Sequence, residues 1–483
     1  MRTAYCVETV RRAERELMAR VPEGALMQRA AAGLAAACAD LLGRVYGRRV
    51  VLLVGSGDNG GDALYAGARL SRRGAGVTAV LLAPDHTHAG GLTALLRAGG
   101  RTVAPAGAEG AVRRADLVLD GIVGIGGRGG LRPEAAALAA LVAEAGPAVV
   151  AVDLPSGVDA DTGEVHGSAI RADLTVTFGT HKPGLLVDPA REHAGSVRLV
   201  DIGLGAELPE PELEALQHAD VAALLPTPGG ESDKYRRGVV GVAAGSARYP
   251  GAAVLAVAGA LRGGAGAVRY VGPAGDTVLA RFPETLVSDR GPKQAGRVQA
   301  WVVGPGAGED AGTVAEVLAA DVPVLVDADG LRLADAGAVR GRTAPTLMTP
   351  HAGEAAALLG VTREEVERAR LAAARELAAR YRATVLLKGS TTLVADAGGA
   401  GVVRVNATGT AWLATAGSGD VLSGLAGSLL AAGLNALDAG SAGAYLHGLA
   451  GRFAAHGAPV GAHDVAAAIP EAWRDVRDRD LRD

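Results

Sequence analysis

The chain alternates short, continuous apolar runs with glycine-containing turns and alanine-rich periodic stretches. The first such unit is RRVVLLVGSGDNGGDALYAGARL, beginning at Arg48. AGVTAVLLAP, ADLVLDGIVGIGG, AVVAVDLPSG and ADLTVTFG continue the rhythm. Apolar run, glycine turn, helical period: that order predicts βαβ units and a parallel sheet. Runs that are apolar throughout, rather than at alternate positions, predict strands covered on both faces.

The rhythm breaks at GAELPEPELEALQHADVAALLPTPGGESDKYRRG, where prolines and acids flank a short helical pattern. A boundary near residue 215 follows, with α/β domains over 1–215 and 216–483. Beyond it, GVVGVAAGS, AWVVGPGAG, PVLVDADGL, PTLMTPHAGE and ATVLLKGSTTLVA read as strands with polar ends. TREEVERARLAAARELAARYRA reads as a helix between them, and the chain closes on alanine- and glycine-rich helices. No short-period repeat is present.

Composition narrows the function classes. With 483 residues, the chain exceeds a single core. Aromatics are 3% and the net charge is -4, so neither stacking surface nor field favours a nucleic acid. Cys6 and Cys38 are the only cysteines, which excludes a disulfide framework and points to a reducing cytoplasm. The N-terminal MRTAYCVETVRRAERELMAR lacks the apolar core of a signal peptide. The run at 251–261 falls short of the roughly 20 residues of a membrane span. Close packing of glycine- and alanine-rich helices between subunits suggests a homo-oligomer.

Candidate chemistry gathers at strand ends. GSGDNGGDA, 55–63, follows a strand and opens a helix. It reads either as a phosphate cradle at a helix N-terminus or as a tight turn with Asp58 or Asn59 as cap. Asp120, Asp153 and Ser156 follow two further apolar runs. Open α/β sheets bind ligands at the carboxyl ends of their strands. Asn59, Asp120 and carbonyls near Ser156 offer oxygen ligands to a cation; alternatively Asp120 and Ser156 cap adjacent helices.

Together with GALMQRAAAG, 24–33, the motifs GSGDNGGDA, LVLDGIVGIGGRG, VVAVDLPSGVDADTGEV and ADLTVTFGTHKPGLL resemble the YjeF N-terminal family, the NAD(P)H-hydrate epimerases. Asp58 and Ala63 depart from that family's usual GxGNNGGDG loop. The resemblance implies a Rossmann-like three-layer αβα domain and, as substrate, a reduced nicotinamide nucleotide with water added to its ring. It implies substrate contacts from Asp58, Asn59, Gly60, Gly61 and Asp62, from Gly124, Ile125, Gly126, Gly127, Arg128, Gly129 and Gly130, and from Asp153. It implies potassium at Asn59, Asp120 and Ser156. Asp153 is the choice for acid–base work. Lys182 is expected to serve phosphates or to be a solvated surface lysine.

In the second half, ATAGSGDVLSG places Gly417, Ser418, Gly419 and Asp420 at a helix start. Amides and helix dipole there make an anion site. Asp420 is then either a base beside a phosphoryl group or a cap. LLKGSTTLV, MTPHAGE, VVGPGAG, LVDADGL and SDKYRRG accompany it. His351 is by residue type commonly a capping or solvent histidine.

These motifs are similar to the YjeF C-terminal family, the ADP/ATP-dependent NAD(P)H-hydrate dehydratases, from about Lys234 to the end of the chain. The resemblance implies a ribokinase-like fold. It implies nucleotide binding by Lys388, Gly389, Ser390, Thr391, Thr392 and Gly419, and substrate contacts from Ala253, Gly306, His351 and Asp420. It implies ADP with Mg2+ as co-substrate, and a cytoplasmic enzyme with small-molecule partners, no nucleic acid and no membrane. The joint expectation is repair: both hydrate epimers interconverted, the S form dehydrated with ADP giving AMP and phosphate. The competing reading is a small-molecule kinase carrying a non-catalytic nucleotide-binding module.

Overall fold

The structure is a computed structural model that describes residues 1–398 and 401–479. The chain divides into one unit over Thr3–Glu212 and another from Leu213 onward that includes Met1–Arg2.

In the first unit seven strands pair in parallel. Their order is Arg101–Val103, Gly76–Leu81, Arg49–Val54, Leu117–Gly121, Ala148–Val152, Leu174–Phe178 and Ser196–Val200. The chain steps outward from Arg49–Val54 to one edge, then returns to Leu117–Gly121 on the other side. The crevice between those two strand ends is the switch point where such sheets bind ligands. Gly55 lies there; a Cβ would sit 1.9 Å from the Ile122 carbonyl oxygen, so a side chain would push the two loops apart.

The uninterrupted apolar runs have a direct cause. Val50, Leu52 and Val54 join one core cluster with Leu34 and Leu64, while Val51 and Leu53 join another with Val118 and Leu138. Successive side chains point to opposite faces, and helices cover both. One covering helix, Ala25–Leu42, is long and apolar enough to cross a membrane by length and composition. Its Leu34, Ala35 and Cys38 are buried in the core, which accounts for its apolarity.

The second unit holds a mixed sheet. Leu286–Ser288, Ala267–Val271, Val239–Ala243, Ala300–Val303, Val324–Val326, Thr346–Met348 and Thr384–Leu387 pair in parallel in that order. Thr392–Ala395 and Val403–Asn406 then add antiparallel. The run ATVLLKGSTTLVA is therefore a hairpin. Its turn holds Lys388–Thr391. A second switch point falls between Val239–Ala243 and Ala300–Val303, where the Gly245 amide donates to the Pro305 carbonyl at 2.7 Å.

The helical stretch expected over 362–383 is two helices, Arg363–Arg368 and Arg370–Tyr381, broken at Ala369 with φ -123° and ψ 53°. The break turns Arg370 inward. It is buried, and its Nη2 donates to the carbonyls of Lys388 and Thr391 at 3.0 Å each. A buried guanidinium thus sets the shape of the hairpin turn.

Small residues carry the contact between helices Pro250–Arg262 and Ser418–Ala431. A Cβ on Gly424 would lie 1.9 Å from the Ala256 carbonyl oxygen, and one on Gly259 would lie 2.1 Å from that of Val421. Ser418–Ala431 and Ala436–Ala455 are almost wholly buried within the unit. Their alanines and glycines therefore serve internal packing rather than contacts between subunits. Gly424→Ala should cost about 1–3 kcal/mol by overpacking. The displaced helix carries Asp420, so the surroundings of that residue should change with it; denaturant titration checks the cost in stability.

Candidate active sites

The first switch point opens into a cavity of about 1140 Å³. Asp58, Asn59 and Asp62 face it from the helix Asp58–Arg72, Asp153 from a strand end and Glu14 from the helix Val7–Met18. The N-cap of Asp58–Arg72 is Gly57, with φ 94° and no side-chain cap bond. Asp58 and Asn59 are thus not caps.

Asp120 is fully buried. Its Oδ2 accepts from the Ser156 amide at 2.7 Å, and its Oδ1 accepts from the Ser156 hydroxyl at 2.6 Å. Burial pushes its pKa up to about 6, against those bonds. Asp120 and Ser156 bind each other rather than cap helices. The Asn59 amide nitrogen is buried without a hydrogen-bond partner, and Asn59 Oδ1 would lie 2.9 Å from a Cβ on Gly124.

Asp153 adopts φ 66°, a left-handed conformation uncommon outside glycine. Its Oδ1 accepts from Lys182 Nζ at 2.5 Å, Thr177 Oγ1 at 3.0 Å and the Phe178 amide at 3.3 Å. Lys182 is 1% exposed. That overturns the solvated-surface expectation and turns its charge toward Asp153 rather than toward a phosphate. Asp62 is 8% exposed, and its Oδ1 has no hydrogen-bond partner. Burial first, then Asp153, Asp58 and Glu14, raises its pKa well above the usual range.

In the second unit Gly417 is the N-cap of Ser418–Ala431, with φ 86° and no side-chain cap bond. Asp420 lies in the first turn and caps nothing. Of the amides at this helix start, that of Ser418 already donates to the Thr415 carbonyl at 3.3 Å. Lys388 Nζ donates to Asp327 Oδ1 at 2.7 Å and approaches Glu354 Oε2 at 3.8 Å. Ser423 Oγ, one turn beyond Asp420, donates to Asp327 Oδ2 at 2.6 Å. Helix start and hairpin turn are thereby joined through Asp327. Burial and then Asp327 push Asp420 up to about 7, partly offset by Lys388. Burial works against the Lys388 ammonium, yet Asp327 and Glu354 outweigh it and raise its proton affinity.

Residues 23–184 match the family model described as YjeF-related protein N-terminus, and 240–471 match that described as NAD(P)H-hydrate dehydratase. A bifunctional NAD(P)H-hydrate repair enzyme of Mycobacterium leprae is 51% identical over 486 residues, covering 99% of each chain. The chain belongs to the bifunctional NAD(P)H-hydrate repair family. A Mycobacterium tuberculosis member of that family is 52% identical over 443 residues, covering 90% of each chain. A ribokinase-like superfamily protein from Enterococcus faecalis superposes with TM-score 0.50 at 23% identity, covering 56% of this chain and 98% of that one. This likeness supports the ribokinase-like fold of the second unit.

Within this repair-family chain the expected site residues separate. Asp58, Asn59, Asp62, Gly124, Ile125, Gly126 and Asp153 line the first cavity. Gly60, Gly61, Gly127, Arg128, Gly129 and Gly130 lie outside that lining. Gly60 backs onto the Gly55 carbonyl, and a Cβ on Gly130 would sit 1.8 Å from the His166 carbonyl oxygen, so these two serve close backbone packing.

In the second unit Gly419 meets the hairpin: a Cβ on it would lie 3.4 Å from Lys388 Nζ. Gly389 and Ser390 are exposed, Thr392 is half-buried and Thr391 is fully buried. Gly306, with φ 61°, lies at the switch point. Ala253 is 0% exposed, packed beneath Gly245, so its side chain is not on a binding surface. His351 does cap its helix, accepting from the Gly353 amide at 2.9 Å, and its side chain is 60% exposed.

The repair-family motifs gave no hint of Glu14, Arg370 or His447. Glu14 shares the helix face of Val10, Ala13 and Leu17, so an acid on an apolar stripe was its signal. His447 is buried with Nε2 3.3 Å from Ser418 Oγ, and burial pulls its pKa down to about 4. No local pattern distinguishes it.

Proposed function

We propose that the chain restores hydrated NAD(P)H in two steps, with Asp153 acting in the epimerase unit and Asp420 in the dehydratase unit. The observation that carries the second assignment is Asp420 itself. It sits in the first turn of a helix it does not cap, beside the Lys388–Asp327 pair. Asp420 takes the proton of the ring hydroxyl. The oxygen attacks the terminal phosphoryl of ADP, and AMP leaves. The Gly419 amide and Lys388 favour the negative charge on the transferring group. Phosphate then departs from the ring carbon, a proton leaves the adjacent carbon, and the double bond of the reduced nicotinamide returns. A kinase reading would end at the phosphorylated alcohol; membership of the repair family favours elimination.

Magnesium belongs with the nucleotide in this scheme. Among the described residues no three His, Cys, Asp or Glu side chains converge as a metal site, so the ion would be held chiefly by the phosphates. It would lower the charge on the group being transferred. Potassium fits the first unit differently. Asp120 is a buried carboxylate whose hydrogen-bond donors, Ser156 and Ile122, are neutral, and the Asn59 side-chain oxygen lies next to Gly124. Asn59, Asp120 and Ser156 would hold the ion, which would supply the missing positive charge. Exchanging sodium for potassium at constant ionic strength should raise the unfolding temperature of the chain. Asp120→Asn should abolish the response.

The function is tested by product stoichiometry. One AMP and one phosphate should appear for each NADPH regained from the S hydrate. Accumulation of a phosphorylated hydrate without NADPH would favour the kinase.

A further inference from the structure

We infer that Asp62 and Asp153 form a two-faced acid–base pair, which inverts the hydroxyl-bearing ring carbon by losing the oxygen from one face and adding water from the other. The inference rests on the epimerase reading of this unit. Both carboxylates line the same cavity, but their surroundings differ. Asp153 Oδ1 is taken up by Lys182, Thr177 and the Phe178 amide. Asp62 is 8% exposed, faces the cavity and has an Oδ1 with no hydrogen-bond partner. A buried, unpartnered carboxyl is costly to keep unless it is protonated or meets a ligand. The raised proton affinity of Asp62 agrees with this, and two acids in unlike surroundings divide naturally into acid and base.

The chemistry follows from the substrate. A dihydropyridine is an enamine, and water adds to an enamine with its oxygen on the carbon bonded to nitrogen. The Asp62 carboxylic acid gives its proton to that hydroxyl. The carbon–oxygen bond breaks, water leaves, and the ring-nitrogen lone pair forms a carbon–nitrogen double bond. Water on the opposite face then forms the new carbon–oxygen bond, the π pair returns to nitrogen, and the spare proton passes to the Asp153 carboxylate. The pair ends with its protonation reversed, ready for the opposite epimer or for proton exchange with solvent. No redox partner is required.

The experiment follows epimer interconversion in oxygen-18 water with the full chain and no nucleotide, corrected for the uncatalysed rate. Each inversion by the wild type should introduce one solvent oxygen. Asp62→Asn should slow interconversion by about 10²–10⁴-fold. ADP-dependent dehydration of the S epimer should be unchanged, and Asp62→Glu should recover part of the inversion. Inversion with the original oxygen retained would overturn the inference without needing any variant. So would wild-type interconversion by Asp62→Asn. A wild type that does not interconvert the epimers would instead overturn the epimerase reading beneath it.

Discussion

Asp420→Asn should cut ADP-dependent dehydration by about 10²–10⁴-fold, the usual worth of a positioned general base. The asparagine keeps the shape of the first helical turn and removes the proton acceptor. Nucleotide affinity should change little, and epimer interconversion should persist. The pH profile gives a second readout. Asp420 is pushed up to about 7, first by burial and then by Asp327, and also by Asp329 and Glu354. A base works deprotonated. Dehydration kcat/KM should therefore rise with pH through about 7 and level off above it. Asp329→Asn removes one of the charges that oppose ionisation, so its profile should shift to lower pH. A flat profile, or a shift in the other direction, would place the base elsewhere.

Lys182→Met should be the most damaging single change in the first unit. It leaves Asp153 as a buried carboxylate without its ammonium partner, in a residue already held at φ 66°. Breaking such a pair costs about 3–5 kcal/mol. The loss should appear as faster hydrogen exchange in the strand Leu174–Phe178, with epimerase activity abolished. The double variant Lys182→Met with Asp153→Asn removes both charges. It should recover much of the protection and none of the activity. If the double variant were as unstable as the single one, the cost would lie in packing of the lysine stem rather than in the stranded charge.

The strands and the two-unit plan were legible because they depend on local patterning. Val50 to Val54 are apolar throughout because helices cover both sheet faces, and this shows directly in the letters. The glycine-flanked acids at strand ends were legible for a similar reason, since switch points require close loops. What could not be read depends on distant partners. For Lys182 the sequence offers phosphate contact or a solvated surface position, and nothing near it announces Asp153, 29 positions earlier. Arg370 sat in an apparently continuous helical pattern, and the carbonyls that draw it inward come from Leu387 to Thr391. Ala253 is a substrate contact by its position in the motif, yet packing seals its side chain beneath Gly245. Ala25–Leu42 shows the opposite case, an apolar helix whose burial no composition rule distinguishes from a span.

One chain performs two matched reactions on one damaged nucleotide. The most direct measurement is recovery of the reduced-nicotinamide absorbance from mixed-epimer NADPH hydrate with ADP and magnesium, alongside a sample without nucleotide. Without nucleotide no recovery is expected. With ADP recovery should continue to completion past the S fraction, faster than spontaneous epimerisation. Recovery that stops at the S fraction would contradict the epimerase assignment, and no recovery with ADP or ATP would contradict the dehydratase.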